Sequence, residues 1–358
     1  MQKSKIIESV SIKVSNGTLI GKTLAEVKSL TGELGMPSYT ARQIVEWLYK
    51  KRVRSIDDMT NLSLLHREKL KEKFTVGYVA HVQKQQSVDG TAKYLFPVSG
   101  NKYVEAVYIP DKERATLCIS SQVGCKMNCV FCMTGKQKFA CQLSAAEILN
   151  QLLSVPESDL LTNFVFMGMG EPLDNVDELF KVLEIMTAEY GFALSPKRIT
   201  VSTIGLLPGL KRFLEESQCH LALSIHSPYH EERLSLMPVE KTYPVAEVVE
   251  LIKQYDFSRQ RRVSIEYILF GGLNDDLKHA RDLAGLFSGI PCRVNLIKYH
   301  RIPGVNLPAT DTAKMVPFRD CLSSRGIIST IRMSRGEDIL AACGMLSTAS
   351  QRNAERRN

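Results

Sequence analysis

The chain has little of what marks a secreted or membrane-spanning protein. Its opening, MQKSKIIESV, holds no apolar run of signal-peptide length, and no stretch elsewhere approaches about 18 uninterrupted apolar residues. A cytoplasmic protein with no membrane partner is expected. A disulfide framework is also missing: nine cysteines, an odd number at irregular spacing in 358 residues, do not pair into one. Clustered cysteines in a reducing compartment point instead to metal or redox chemistry. Composition is ordinary, with 44% hydrophobic and 23% charged residues, so the length allows one large enzyme domain and a smaller accessory domain.

Charge is unbalanced towards the positive, with 46 Lys and Arg against 38 Asp and Glu, a net of +8. The excess gathers at Lys50, Lys51, Arg52 and Arg54, in RQRR at 259–262, and in the tail QRNAERRN. Such patches suit a polyanion, although charge alone does not name one.

Periodicity divides the chain. Residues 24–75 read as helices: TARQIVEWLYKK sets Ile44, Val45, Trp47 and Leu48 on one face, and SIDDMTNLSLLHREKLKEKF follows a serine cap with apolar residues at helical spacing. From 76 to 110 the pattern alternates, and Ser99-Gly100-Asn101 supplies the turn of a β-hairpin. After residue 114, six short β-rich runs (115–120, 163–167, 198–203, 220–225, 262–270 and 293–297) are each followed by an amphipathic helical stretch. Strand then helix, repeated with apolar strands, predicts an α/β fold with a parallel sheet covered on both faces. Six units are too few for an eight-fold barrel, so a partial, open-sided (β/α)6 barrel is favoured over a flat doubly wound sheet. The expected organisation is an N-terminal helical accessory domain at 1–75, a hairpin linker at 76–114, the barrel at 115–300, a C-terminal extension at 301–346 and a disordered basic tail at 347–358.

Chemistry in such a sheet belongs at the carboxyl ends of the strands. There, just after the first strand, GCKMNCVFCMTG places Cys125, Cys129 and Cys132 at intervals of four and three. A tetrahedral structural zinc needs a fourth ligand, usually from a second Cys or His pair, and no such pair stands nearby. A four-iron four-sulfur cube held by three thiolates leaves one iron open to an outside molecule. One unit later comes GMGEP, residues 168–172, whose glycines permit close backbone approach and whose Glu171 can receive an ammonium.

These residues resemble the radical S-adenosylmethionine superfamily, in which that cofactor chelates the open iron. ARQIVEWLY, VEAVYIP, RATLCISSQVGC, GMGEPLDN, ITVSTIGLLP, LALSIHSP, IEYILFGGLND, VNLI and RGEDILAACG occur in the order seen in the RlmN/Cfr family of bacterial radical methyltransferases. The resemblance covers nearly the whole chain. It implies a [4Fe-4S] cluster on Cys125, Cys129 and Cys132, and S-adenosylmethionine held by Gly170, Glu171, Ser202, Ser224, Ile225, His226 and His300. It further implies methylation of carbon 2 of an adenosine in 23S rRNA, in the peptidyl transferase region, and of adenosine 37 in tRNA. In the family a deoxyadenosyl radical removes hydrogen from a methyl group parked on a cysteine, the carbon radical adds to the electron-poor ring, a proton leaves and a second cysteine frees the product as a disulfide forms. By resemblance Cys343 carries the methyl, Cys118 resolves it, and Glu105 accepts the proton. The remaining Cys141, Cys219, Cys292 and Cys321 read as ordinary thiols. A flavodoxin- or ferredoxin-type reductant and a monomeric enzyme are expected.

Two departures from the family pattern stand out. The chain has NLIKYH where the better-known members end in Asn, so His300 takes that position. After the cysteine loop, Lys138 replaces a Gly and Cys141-Gln142 replace Arg-Asn, while Phe139 is kept, as in the carbon-2 enzymes. The alternatives are a carbon-8 methyltransferase of the Cfr type, a radical enzyme acting on a small molecule, and a non-catalytic, zinc-stabilised RNA-binding protein.

Overall fold

The computed structural model describes residues 17–257 and 262–348. Arg259 and Arg261 of the basic run and the whole stretch 351–358 lie outside the described residues. No helix among those described is long and apolar enough to cross a membrane.

The N-terminal part is helical. α1 (Leu24–Glu33) starts at a capping box in which Thr23 and Glu26 satisfy each other's backbone N–H groups. α2 (Thr40–Val45) runs into one wide π-helical turn, Glu46–Lys50, and α3 (Leu64–Lys73) starts at the cap Ser63. The wide turn alters the angular step, so Tyr49 is buried with Ile44, Val45 and Leu48. Trp47, expected on that face, is half-buried and packs against the same core, with the Lys51 ammonium 3.5 Å above its ring. A short parallel pair, Gly17–Thr18 with Phe74–Thr75, joins the two ends of this part.

One ten-stranded sheet forms the rest. Its strands are β1 (Gln83–Gln86), β2 (Ala92–Val98), β3 (Lys102–Asp111), β4 (Arg114–Cys118), β5 (Asn163–Phe166), β6 (Ile199–Thr203), β7 (His220–Ser224), β8 (Val263–Leu269), β9 (Cys292–Lys298) and β10 (Ile328–Ile331). They lie side by side in chain order. β1 to β4 pair antiparallel, with the turn at Ser99-Gly100-Asn101, and β4 to β10 pair parallel. The six strands read from the sequence are therefore present. β10, in the segment 301–346, adds a seventh to the parallel run, and the 76–114 segment is continuous with the same sheet.

Parallel neighbours demand crossovers, and helices supply them. α4 (Met133–Lys136) and α5 (Ala145–Ser154) follow β4, α6 (Val176–Thr187) follows β5, and α7 (Leu207–Glu216) follows β6. α8 (His230–Leu236) and α9 (Val245–Lys253) follow β7, while α10 (Leu277–Leu286) and α11 (Thr312–Ser323) follow β8 and β9. The apolar faces of these helices and the strands make a continuous core that includes Ile148, Leu152, Val182, Phe213, Val248, Leu283 and Phe318. A smaller apolar cluster, with Cys129, Phe131, Leu236, Met237, Ile268, Phe270 and Tyr299, lies beneath the cysteine loop. Since β4 to β9 run the same way, the loops after them share one edge of the sheet.

Candidate active site

The cysteine loop leaves β4 and is closed at its base by an antiparallel pair, Gln122–Val123 with Cys141–Gln142. Gly124 sits at φ +74°, and a Cβ there would fall 1.9 Å from the Lys138 carbonyl oxygen, so only glycine fits. Lys138 itself holds φ +63°. A glycine would take that left-handed conformation without strain, and here a lysine bears it. Gln142, at the other departure, hydrogen-bonds to the Asp174 carbonyl (2.7 Å) and to the Gln122 amide (2.7 Å). Lys126 ion-pairs with Asp174 at 2.7 Å and lies over the Phe139 ring.

The three thiols lie within electrostatic range of one another. Burial pushes Cys125 up to about 12, Cys129 well above the ordinary thiol range, and Cys132 upward as well. Such thiols keep their protons unless metal replaces them, and backbone N–H groups of Met127, Thr134 and Gly135 stand ready for sulfur. Among the described residues no three His, Cys, Asp or Glu side chains converge as ligands of one ion. A four-iron cube takes each of the three thiolates on a separate iron, so it does not require that convergence. The donor set fits such a cluster.

GMGEP follows β5. At Gly168 a Cβ would meet Ser120 Oγ at 2.5 Å, and at Gly170 (φ +100°) it would meet Gln122 Cβ at 2.5 Å. Both glycines therefore serve close packing of this loop on the start of the cysteine loop, a demand present before any ligand arrives. Glu171 is buried; its carboxylate accepts from the N–H groups of Leu173 (3.1 Å) and Ile204 (3.0 Å), and burial lifts its pKa to about 7.

Ser202 is half-buried on β6, opposite Ala222 of β7. Ser224 ends β7, and Ile225 donates its N–H to the Glu266 carbonyl at 3.1 Å. His226 (φ +62°) is buried edge-on to Phe131, and its Nδ1 accepts the Ile268 N–H at 3.0 Å. Burial, and then the Arg233 charge, depress the ring to about 3, which keeps it neutral. Sequence reasoning missed the residue that organises this floor. Arg233 of α8, fully buried and paired with Glu240, donates to the carbonyls of Ile204 (2.7 Å), Ile225 (3.2 Å) and Ser224 (3.4 Å). Its one signal in the sequence is helical spacing, three residues before the buried Leu236.

His300 engages both ring nitrogens within the protein, Nε2 with Ser334 Oγ (2.8 Å) and Nδ1 with Glu337 (3.1 Å). It thus anchors the C-terminal segment. That segment brings Cys343, exposed, beside the cysteine loop. Met133 donates its N–H to the Gly344 carbonyl at 2.7 Å, and Thr134 Oγ1 donates to the Leu346 carbonyl at 2.8 Å. Cys343 is within electrostatic range of Cys132, of Cys118 at the end of β4, and of Arg332, whose guanidinium is held by Glu266 at 3.1 Å. Burial pushes the Cys118 thiol up to about 12, with the Cys343 charge adding to it.

Glu105 of β3 is buried, where alternation alone predicts an exposed strand residue. Oε1 pairs with Lys93 of β2 at 3.1 Å, and Oε2 accepts the Ser347 N–H at 2.9 Å. Burial raises its pKa and Lys93 opposes the rise. The residues of the cysteine loop, Cys118, Glu105 and Cys343 therefore meet through the C-terminal segment.

Comparison with known proteins agrees with this geometry. Residues 119–284 match the Radical SAM superfamily, and residues 18–76 match the ribosomal RNA large subunit methyltransferase N-terminal domain. A relative from Parabacteroides distasonis, named probable dual-specificity RNA methyltransferase RlmN, is 62% identical over 94% of this chain and 98% of its own length. The dual-specificity RNA methyltransferase RlmN of Roseobacter denitrificans is 38% identical over 98% of this chain and 94% of its own. The crystal structure of a radical SAM methyltransferase from Sphaerobacter thermophilus superposes with a TM-score of 0.86 at 36% identity, covering 92% of this chain and 98% of that one. A cysteine triplet at a strand's carboxyl end, its supporting floor and relatives matched over nearly their whole length lead to one conclusion: the chain belongs to the RlmN family of radical SAM RNA methyltransferases, enzymes that use a [4Fe-4S] cluster and S-adenosylmethionine.

Proposed function

We propose that the enzyme methylates carbon 2 of an adenosine in the peptidyl transferase region of 23S rRNA and of adenosine 37 in tRNAs, with Cys343 as methyl carrier. The observation that carries this reading is the docking of the Cys343 segment on both the cysteine loop, through Met133 and Gly344, and Glu105, through Ser347. The choice of carbon 2 over carbon 8 rests on the family resemblance and on Phe139.

When bound on Cys125, Cys129 and Cys132 and on the strand-end floor, the cluster and S-adenosylmethionine supply the methyl group and the one-electron chemistry that an electron-poor ring carbon requires. Gly170, Glu171, Ser202, Ser224, Ile225 and His226 line that floor, with Glu171 suited to an ammonium because its pKa of about 7 falls once a cation arrives. His300 acts at one remove, holding Ser334 and Glu337. Cys343 carries the methyl on Sγ as a thioether and presents it to the adenine. Glu105 takes the proton that the ring carbon loses, and Lys93 favours the charged carboxylate needed for that step. The Cys118 thiolate then attacks the Cys343 sulfur; the new disulfide forms as the carbon–sulfur bond breaks, and its electron pair stays with the methyl carbon, which takes a proton. A flavodoxin- or ferredoxin-type protein is the proposed electron donor, and the enzyme is proposed to work as a monomer in the cytoplasm. Lys50, Lys51, Arg52 and Arg54 would meet RNA phosphates, contacts that position without reading sequence.

Nucleoside mass spectrometry of 23S rRNA and tRNA, from cells lacking the gene and from cells given it back, tests the reading. 2-Methyladenosine in both RNAs should return with the gene, and should not return with Cys343→Ala. 8-Methyladenosine, or full methylation by Cys343→Ala, overturns it.

A further inference from the structure

Gln137 is a buried amide that the reaction itself does not use. It caps α4, the short helix rooted at Cys132, with its N–H on the Met133 carbonyl at 3.0 Å. Its side chain reaches across to the C-terminal segment. Oε1 accepts from the Thr348 N–H (2.8 Å) and from Ser347 Oγ (3.1 Å), and Nε2 donates to Thr348 Oγ1 (2.6 Å). Thr348 is almost wholly buried, so groups parted from Gln137 would be left without water. The neighbouring contacts differ in kind. Met133 to Gly344 is backbone on backbone, and Thr134 gives one hydroxyl to the Leu346 carbonyl. Gln137 alone among the three spans two consecutive residues.

Those two residues matter because of what adjoins them. Ser347 is the residue whose N–H meets Glu105 Oε2, and Cys343 lies four positions earlier on the same segment. We propose that Gln137 is a positioning residue: it fastens the segment so that Cys343 stands beside the cysteine loop while Ser347 stays on Glu105, linking methyl carrier and proton acceptor. The inference rests on the functional reading above, in which Cys343 and Glu105 hold those roles. Removing the amide takes away the cysteine loop's bonds from Gln137 to Ser347 and Thr348 without touching any cluster ligand.

The test uses the full chain with its cluster reconstituted, as wild type, Gln137→Ala, Gln137→Glu and Cys343→Ala. Iron and sulfide content, amide hydrogen exchange across residues 343–348, and kcat and KM with 23S rRNA fragments are measured. Gln137→Ala should keep its iron and its KM, exchange the Ser347 and Thr348 amides at least about tenfold faster, and lose roughly tenfold to thousandfold in kcat, the worth of three hydrogen bonds. Gln137→Glu should recover to within about fivefold of wild type, because its carboxylate accepts from Ser347 and Thr348 and the Thr348 hydroxyl can turn to donate. The proposal is overturned if exchange quickens with kcat unchanged, if iron is lost along with kcat, if exchange does not change, or if Gln137→Glu fares no better than Ala. Should wild type transfer no methyl to RNA, the functional reading has failed, and the exchange data, which need no RNA, still decide whether Gln137 fastens the segment.

Discussion

The strand-end floor and the Cys343 segment adjoin the same cysteine loop, yet they are built in opposite ways. In the floor, polar groups answer one another inside the protein: Arg233 and Glu240 pair out of water, Arg233 holds three strand-end carbonyls, and Asn274 bonds to the His226 and Ile268 carbonyls. The Cys343 segment follows two left-handed residues, Gly336 and Leu340, keeps its cysteine exposed, and is held by a few hydrogen bonds from side chains of the cysteine loop. Leucine at φ +54° is strained, and strain of that sort persists where a loop must hold an unusual path. The contrast fits the proposed chemistry. A cofactor needs a fixed seat, whereas a carrier thiol must meet a methyl donor, then an adenine, then Cys118.

The largest effect should come from the Cys343 side. Cys118→Ala removes the thiol proposed to release product, so RNA should remain bound to Cys343 as an adduct that survives denaturing electrophoresis; free methylated RNA at the wild-type rate would break the assignment. On the fixed side, Arg233→Met leaves the buried Glu240 with only His230 and the Val245 N–H as partners and should cost about 3 kcal/mol in urea unfolding. Adding Glu240→Gln should return part of that loss, and a cost under about 1 kcal/mol for the single variant would mean the floor is not the rigid element argued here.

His226 sharpens the contrast through pH. Its folded pKa, about 3, lies below the ordinary value of 6.5, so the neutral ring's contribution is present above 6.5 and is lost as pH falls towards 3. His226→Asn places an amide oxygen where Nδ1 meets the Ile268 N–H and tolerates a positive φ. Its unfolding free energy should fall less over that window than that of wild type, by roughly 3 kcal/mol, and parallel curves would show that the ring is not kept neutral. The smallest shift concerns Lys93. Lys93→Met removes the cation that opposes the rise of the Glu105 pKa, so the acid limb of kcat should move to higher pH. Lys93→Arg should move it less, and an unmoved limb would detach Glu105 from the proton transfer.

Much of this site was legible beforehand. The cysteine spacing, GMGEP and the strand rhythm placed the cluster loop and its neighbouring turn correctly, because local spacing and period carry that information. The Lys93–Glu105 pair could have been found: a turn at Ser99-Gly100-Asn101 sets Leu95 opposite Glu105, which puts Lys93 at the diagonal position on the same face. The burial of Tyr49 escaped the periodicity because a π-helical turn leaves no mark in a pattern read at 3.6 residues per turn. The glycines of GMGEP were read towards a ligand, while their closest neighbours are Ser120 and Gln122 of the protein itself.

The sequence by itself determined the thiol triplet, the alternation of strand and helix, and the identity of each reactive group, since these are properties of neighbours along the chain. Only the tertiary structure decided that Arg233 ties together the ends of two strands, β6 and β7, that His300 turns inward to Ser334 and Glu337, and that Gln137 joins the cysteine loop to residues more than two hundred positions away. The physical reason is that burial and hydrogen-bond partnership depend on which distant segments meet, and in a parallel sheet each strand's neighbour arrives only after a long crossover.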